Sequence, residues 1–330
     1  MSQAPILPKM EYRRFGRTNE SISVITLGGM RFKQGWNPPR SHLPKESVEN
    51  CIETTRTAFE LGINHIETAY GYMKSEHLYG VALKELGVPR DQFKMMTKGA
   101  PMTADETRRL VEEQLEALQL EYIDFYGWHG INNEERFRAA VHPSGPVETL
   151  LRLKEEGVIG HVGFSTHGSL DIILKTIETG LFSFVNLHYY YFFQKNYPAL
   201  ELAARKDLGV FIISPNEKGG MLWQPSQVVE ETCHPFTAIQ FNGRFCLSHS
   251  QITTLSMGMH EPEHFTQNLS ILTGKDYTTD QTYQSIKGQM DAPLIALEDQ
   301  CTLYDQCLPC PEKINIPMFF VFITCLPLTI

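Results

Sequence analysis

Four short apolar runs in this 330-residue chain each end on side chains that can take part in proton chemistry. NHIETAYGY ends on Glu67 and Tyr72, MMTK on Lys98, DFYGWH on His129 and HVGFS on Ser165. A carboxylate, a phenol, an ammonium and an imidazole in one pocket suit proton donation to a substrate oxygen. Bringing them together requires successive strands whose carboxyl ends open on one face, the arrangement of a parallel barrel.

The rest of the chain supplies such strands. EYRRFGRTNESISVITLGGM alternates as a short hairpin leading into a first strand, Val24 to Leu27, which stops at Gly28-Gly29 and leaves backbone exposed there. A helical run from Lys45 to Leu61 follows, with Val48, Ile52, Thr55 and Phe59 on one face and Gly62 as its stop. Strand and helix then alternate: NHIE; Phe93 to Thr97, then Thr103 to Leu118; Tyr122 to Trp128, then Pro146 to Glu156; Val162 to Ser165, then Leu170 to Thr179. Further strands at Phe184 to Leu187, Val210 to Ser214 and Thr254 to Met257 bring the count to eight, which predicts a (β/α)8 TIM barrel of the α/β class. An open doubly wound sheet would carry a G-x-G-x-x-G turn after its first strand, and LGGMRF is not one. The alternation fades past about residue 272, so the barrel is assigned to 1–285 and a small cysteine-containing extension to 286–330.

Composition narrows the partners. With 29 basic and 38 acidic residues and a net charge of −9, the chain offers no general attraction for nucleic acid or an anionic membrane, and a small-molecule substrate is expected. MSQAPILPK lacks the basic start and apolar core of a signal peptide, which points to a cytoplasmic protein. MFFVFITCLPLTI is apolar but well short of the roughly 20 residues of a membrane-spanning helix, so no span is expected. Of the seven cysteines, Cys301, Cys307 and Cys310 fall close together, as in metal ligation rather than a disulfide framework.

The ordered series EYRRFGRT, LGGM, HIETAYGYMKSE, TKGAPMT, YIDFYGWHG, EEGVIGHVGFSTH, ISPNEKGG and MGMHEPEHFTQN resembles the aldo-keto reductases over nearly the full barrel. The resemblance is nearest to the subgroup that carries a cysteine-rich, ferredoxin-like tail. It implies reduction of aldehyde or ketone carbonyls by hydride from NADPH, with NADH the alternative cofactor. Tyr72, five residues after the acid, is then the general acid, Lys98 the cation that favours its ionised form, Glu67 the holder of Lys98, and His129 the group that orients the carbonyl. Most members have Asp where Glu67 stands; the extra methylene moves the carboxylate by about an ångström, a displacement expected to be tolerated. Tyr70 is a second phenol nearby.

The same transfer assigns the cofactor residues. Gly29 and Met30 follow the first strand; Ser165, Thr166 and Asn186 match positions that hold the nicotinamide carboxamide, and Ile213 replaces a stacking Tyr. Ser214, Pro215, Asn216, Lys218, Gly219 and Gly220 form a polar, glycine-rich loop suited to the pyrophosphate. Gly258 and Met259 match the adenosine-phosphate loop, and Gln267 and Asn268 the adenine contacts. His264 stands where an Arg usually holds the 2′-phosphate, which predicts that preference for NADPH over NADH is weak or grows at lower pH. In the tail, the subgroup's C-x-x-C-x-x-C-x-x-C-P reads Cys301, Tyr304, Cys307, Cys310, Pro311, so a 4Fe-4S cluster lacks its second thiolate, with Cys325 a remote substitute. Such a tail leaves room for an electron-transfer partner or a homo-oligomer.

Two other classes compete. One is a regulatory subunit that binds NADPH with little turnover, favoured by Glu67 and the missing stacking Tyr. The other is a metal-dependent hydrolase using His65, His129, His161 and His167, which lacks the His-x-His expected on its first strand. Trp128, Tyr190, Tyr191 and Phe192 are expected to line an aromatic substrate pocket fit for aromatic aldehydes or quinones.

Overall fold

The computed structural model describes residues 8–216, 220–274 and 276–295. An antiparallel hairpin, β1 (Tyr12–Arg14) with β2 (Ser21–Ser23), comes first. Then follow β3 (Ile25–Gly28), α1 (Lys45–Glu60), β4 (His65–Glu67), α2 (Ser75–Leu86), β5 (Lys94–Gly99), α3 (Ala104–Leu118) and β6 (Ile123–His129). Next are α4 (Glu134–Val141), α5 (Pro146–Glu155), β7 (Ile159–Ser165), α6 (Leu170–Glu178), β8 (Phe184–Leu187), α7 (Tyr197–Arg205) and β9 (Gly209–Ile212). The last elements are α8 (Gln227–Cys233), α9 (Ala238–Ser248), β10 (Thr254–Met257), α10 (Pro262–Leu269) and α11 (Gln281–Ile295). Strands β3 to β10 are parallel and close on themselves through β10–β3, giving the expected (β/α)8 barrel.

Each barrel strand is covered by helices outside and by side chains inside, so its sequence is nearly all apolar rather than alternating; all four residues of β3, β8 and β9 are buried. The helices are amphipathic, and α3 shows how the sequence sets their limits. The Thr103 hydroxyl accepts the Glu106 amide while the Glu106 carboxylate accepts the Thr103 amide, so Thr103 caps the helix instead of opening it. At the end of α1, Gly62 takes φ +81°, a left-handed turn into β4, and its carbonyl accepts the Tyr12 hydroxyl at 2.7 Å, which ties the hairpin to the barrel.

The hairpin plugs the amino end of the barrel. Phe15 and Ile22 pack with Met96, Phe125, Phe184 and Phe211, Phe15 lying 5.1 Å from Phe125 and 5.3 Å from Phe184 between ring centroids. One end is therefore closed by apolar packing, and polar chemistry is left to the other.

Two segments differ from a reading by alternation. The stretch after His129 looks like a loop in sequence, yet it contains α4, because the Asn133 side chain accepts the Arg136 amide at 2.9 Å and starts a helix. Helix α11 runs through residue 285; Tyr283 and Ile286 are buried against the barrel, and the Tyr191 hydroxyl donates to Asp291 at 2.7 Å. No described helix is long and apolar enough to cross a membrane.

Candidate active site

Pairing register sets the rim at the carboxyl ends of the strands. Gly28 on β3 pairs with Glu67 on β4, His129 on β6 with Ser165 on β7, and Ser165 with Asn186 on β8. Lys98 on β5 lies between β4 and β6, opposite Gly127. A Cβ at residue 127 would lie 3.0 Å from Lys98 Cγ, so a glycine there leaves space for the lysine.

Lys98 and Glu67 form a buried ion pair, their side chains 1% and 5% exposed. The Lys98 ammonium also donates to the Thr68 carbonyl at 2.6 Å, and the second Glu67 oxygen accepts the Ser256 hydroxyl at 2.9 Å. Burying two charges is tolerable only with their hydrogen-bonding capacity filled, and these contacts fill most of it. Tyr72, in the loop after β4, sits beside the pair with its ring 5.1 Å from the ammonium and 6.0 Å from the His129 ring. The Tyr72 hydroxyl makes no hydrogen bond to a described residue.

The electrostatics correct one expectation. Lys98 does not bring the Tyr72 phenol down toward neutrality: burial raises it well above its usual value, and the negative Glu67 raises it further. The ammonium is directed at Glu67 and the Thr68 carbonyl instead of the phenol hydroxyl, and the charge that acts on the phenol is that of Glu67. His129 is lowered to about 3, first by burial and then by Lys98, His167 and Arg136, so it stands neutral at physiological pH. The rim therefore combines a protonated phenol with a neutral imidazole, both hydrogen-bond donors.

Tyr70 is placed differently. The Arg40 guanidinium stacks on its ring at 3.8 Å and also donates to the Met73 carbonyl, to Glu76 and to Glu113. Glu76, fully buried, accepts from Thr97 and Gln114 at 2.5 Å each. This network pins the Tyr72 loop from below. Sequence reasoning passed over Arg40, Glu76, Gln114 and Ser256; for Ser256 the available signal was its period-two spacing from the inward-facing Thr254.

Among residues assigned to a cofactor, Ser165 and Thr166 are buried, their hydroxyls engaged with the Gly130 amide and the Ile131 carbonyl. Asn186 is buried, donates to Met96 sulfur, and its side-chain oxygen has no described partner. Ser214 is exposed with φ +50°, Pro215 accepts Asn242 at 2.5 Å, and Asn216 donates to Asn268 at 3.1 Å, joining the loop after β9 to α10. Ile213 faces the barrel interior, packed on the Phe15 cluster. Gly29 is buried too tightly for a side chain, a Cβ meeting Ser75 Oγ at 2.4 Å, while Met30 is exposed. Gly258 and Gln267 are exposed, and the Met259 side chain enters the core. His264 stacks edge-on to Trp223 at 5.0 Å and to His260 at 4.6 Å. Gly220 has φ +80°; Lys218 and Gly219 lie outside the described residues, as do Cys301, Cys307, Cys310 and Cys325.

Other expectations do not hold. Trp128, Tyr190 and Tyr191 are core residues at most 3% exposed, because the Trp128 indole turns inward to the Pro101 carbonyl and Tyr191 to Asp291; they are not pocket walls. The exposed apolar side chains after the strand ends are instead Met30, Trp36, Met102 and Met221. The four histidines of the hydrolase alternative do not converge. His65 lies inside the barrel against Phe125 and Phe211, His161 stacks on Phe125, and no group of three or more metal-binding side chains exists among the described residues. A 560 Å³ cleft lined by Arg40, His77, Glu113 and Gln119 lies on the outer wall, with no strand-end residue in it.

A closed parallel barrel with its polar groups at the strand ends is the architecture of a large class of enzymes. Within it, residues 24–224 match the Aldo/keto reductase family, and the chain belongs to that family of oxidoreductases acting on carbonyls. L-Galactose dehydrogenase of Arabidopsis thaliana is 26% identical over 297 residues, covering 81% of this chain and 89% of that protein. Aldo-keto reductase YhdN of Bacillus subtilis is 42% identical over a shorter stretch of 132 residues, 36% of this chain and 38% of that protein. D-Arabinose 1-dehydrogenase of Saccharomyces cerevisiae is 30% identical over 154 residues, 44% of this chain and 43% of its own. In fold, the holo form of aldo-keto reductase AKR11C1 from Bacillus halodurans superposes with a TM-score of 0.70 at 19% identity, covering 84% of this chain and 96% of that one.

Proposed function

We propose that this protein reduces aldehyde or ketone carbonyls to alcohols, with Tyr72 as the proton donor and NADPH as the hydride source. The observation that carries this reading is the Glu67–Lys98 pair beside a protonated Tyr72 and a neutral His129 on one rim. A carbonyl oxygen placed between the phenol and the imidazole meets two donors; His129 orients it, and Tyr72 transfers its proton as negative charge develops. Glu67 and Lys98 fix the position of the phenol without withdrawing its proton.

The residues fit a nicotinamide cofactor. The unpartnered Asn186 oxygen is an acceptor for a carboxamide, next to Ser165 at the end of the adjoining strand and Thr166 just past it. The loop of Ser214, Pro215 and Asn216 is held by Asn242 and Asn268 in a conformation suited to a pyrophosphate, with Gly258, Met259, His264, Gln267 and Asn268 toward the adenosine end. Bound there, the cofactor supplies a hydride to the carbonyl carbon. Free buried thiols at Cys51, Cys233 and Cys246 accord with a reducing compartment and support a cytoplasmic location.

Residues 286–330 are proposed as an extension of the barrel whose first part, the end of α11, packs on it. With Tyr304 at the second ligand position, Cys301, Cys307 and Cys310 are not expected to hold a complete 4Fe-4S cluster; iron and sulfide assay after anaerobic purification tests this.

The deciding experiment follows NADPH and NADH oxidation at 340 nm against aldehydes, ketones and quinones, comparing the parent with Tyr72→Phe. L-Galactose and D-arabinose belong in the panel, assayed as oxidations at alkaline pH, because two relatives are named for those sugars. Turnover in the parent that is lost in Tyr72→Phe, with NADPH binding retained, is the expected result. Tight NADPH binding without turnover in either protein moves the reading to a regulatory subunit.

A further inference from the structure

Glu67 spans the space between β5 and β10. One oxygen meets Lys98, while the other, Oε1, accepts the Ser256 hydroxyl at 2.9 Å. Ser256 is on β10, and in the barrel order β10-β3-β4 it is separated from Glu67 by a whole strand. The intervening residue on β3 is Gly28, the pairing partner of Glu67. A Cβ at Gly28 would lie 2.9 Å from Ser256 Oγ and 3.2 Å from Glu67 Oε1. The Ser256–Glu67 bond therefore crosses the space left by the absent side chain of residue 28.

We propose that Ser256, across Gly28, is the positioning residue that lets a glutamate serve at position 67. A longer carboxylate has an extra torsion and, unrestrained, would swing between rotamers. The Ser256 bond fixes one oxygen, so the other stays on Lys98 and the pair keeps its place beside Tyr72. An aspartate, one methylene shorter, does not reach both partners. The extra methylene is thus offset by a hydroxyl from two strands away. Ser256 acts through Glu67 and touches no reacting atom. The proposal rests on the reductase reading of the rim, which it deepens.

The test combines turnover with a measurement that needs none. A hydrogen bond to a charged group sets the expected scale, so Ser256→Ala lowers kcat about tenfold with NADPH affinity unchanged. Ser256→Thr, which keeps the hydroxyl, recovers most of that loss. In a Glu67→Asp background Ser256→Ala causes no further loss, because the shorter acid has already given up the bond. In parallel, the Lys98 ammonium is observed by ¹⁵N NMR of the cofactor-free protein and assigned with Lys98→Met. Its protons exchange faster in Ser256→Ala than in the parent, and equally fast in Glu67→Asp with or without Ser256. An ammonium signal unmoved by Ser256→Ala, or equal losses in both backgrounds, overturns the proposal. A parent that turns over no carbonyl overturns the reductase reading alone, since the ammonium signal still reports whether Ser256 holds Glu67.

Discussion

The Lys98 ammonium lies over the face of the Tyr72 ring, 5.1 Å from its centroid, with protons directed to Glu67 and to the Thr68 carbonyl. It supports the phenol by packing and cation–π attraction rather than by sharing its hydroxyl proton. The raised proton affinity of Tyr72 then follows from burial and from Glu67, and it fixes how each direction of the reaction depends on pH. The group is protonated below its pKa, so the donor needed for reduction is present throughout the neutral range. Reduction is expected to be flat from pH 6 to 9. Oxidation needs the phenolate, whose fraction rises about tenfold per pH unit below the pKa, and its rate is expected to follow. Steady-state profiles in both directions check this; an oxidation rate independent of pH over that range would show that Tyr72 is not the base. Tyr72→Phe is expected to lower kcat by about 10²–10⁴-fold.

Glu67→Gln leaves the Lys98 charge buried with only a carbonyl and an amide around it. Removing one partner of a buried pair costs about 3–5 kcal/mol, and a loss of that size is expected in chemical denaturation. Glu67→Gln with Lys98→Met removes both charges and should regain most of the stability while turnover stays lost. A double variant as unstable as Glu67→Gln would mean that the pair is held by packing and not by charge.

The barrel was legible in the sequence because each strand is a short apolar run and each helix a periodic one; all eight strands lie where the alternation put them, within a few residues. The convergence of Glu67, Tyr72, Lys98 and His129 was legible for the same reason, since strand ends in a closed barrel share a face. Contacts that depend on side-chain direction were not. Trp128, Tyr190 and Tyr191 looked like pocket walls, but aromatic residues next to strand ends turn into the core as readily as outward. The Ser256 bond links residues 189 positions apart across a strand, and no local pattern carries it. Nor does composition reveal that the Lys98 ammonium is directed at Glu67 and the Thr68 carbonyl instead of the Tyr72 hydroxyl, because that depends on which oxygen faces which donor.

Met73, next to Tyr72, has φ +50°, the left-handed region that costs a side-chain-bearing residue about 1–2 kcal/mol. Its carbonyl accepts Arg40 Nε at 3.0 Å, and that bond helps hold the strained turn. Met73→Gly removes the strain at the expense of a more flexible unfolded chain, and a net stabilisation of about 0.5–1 kcal/mol is expected. Thermal and chemical unfolding of the variant decide it; a loss of stability would mean that the methionine side chain contributes more in packing than the turn costs.

Cofactor choice is expected to follow pH through His264. Burial lowers its proton affinity below the ordinary imidazole value, while Glu261 and Glu263 act in the other direction. It is therefore neutral at pH 7.5 and gains charge only as pH falls below the ordinary imidazole range. The ratio of kcat/KM for NADPH over NADH should be small at pH 7.5 and rise toward pH 5.5. His264→Arg, charged throughout, should raise that ratio about tenfold at pH 7.5 and remove its pH dependence. An equal, strong NADPH preference from pH 6 to 8 in the parent rules this out.

Acid stability is expected to depend in part on a histidine that takes no part in the chemistry. His65 is fully buried inside the barrel, its Nδ1 bonded to the Thr26 hydroxyl at 2.8 Å and its Nε2 unpartnered among the described residues. Burial, then Lys98, lowers it from 6.5 to about 3. Between those values the unfolded chain binds a proton that the folded protein refuses, so stability rises with pH across this window and falls on acidification. At 1.36 kcal/mol per pH unit, His65 alone removes about 2 kcal/mol between pH 6.5 and 5. His129, lowered to the same value, acts in the same direction. Replacing His65 with Leu sacrifices the Thr26 bond but removes one titrating group. The variant is expected to lose about 2 kcal/mol less than the parent between pH 7.5 and 5 in chemical denaturation. Identical acid sensitivity in both would assign the effect to other groups and show that His65 is protonated or solvated in the folded barrel.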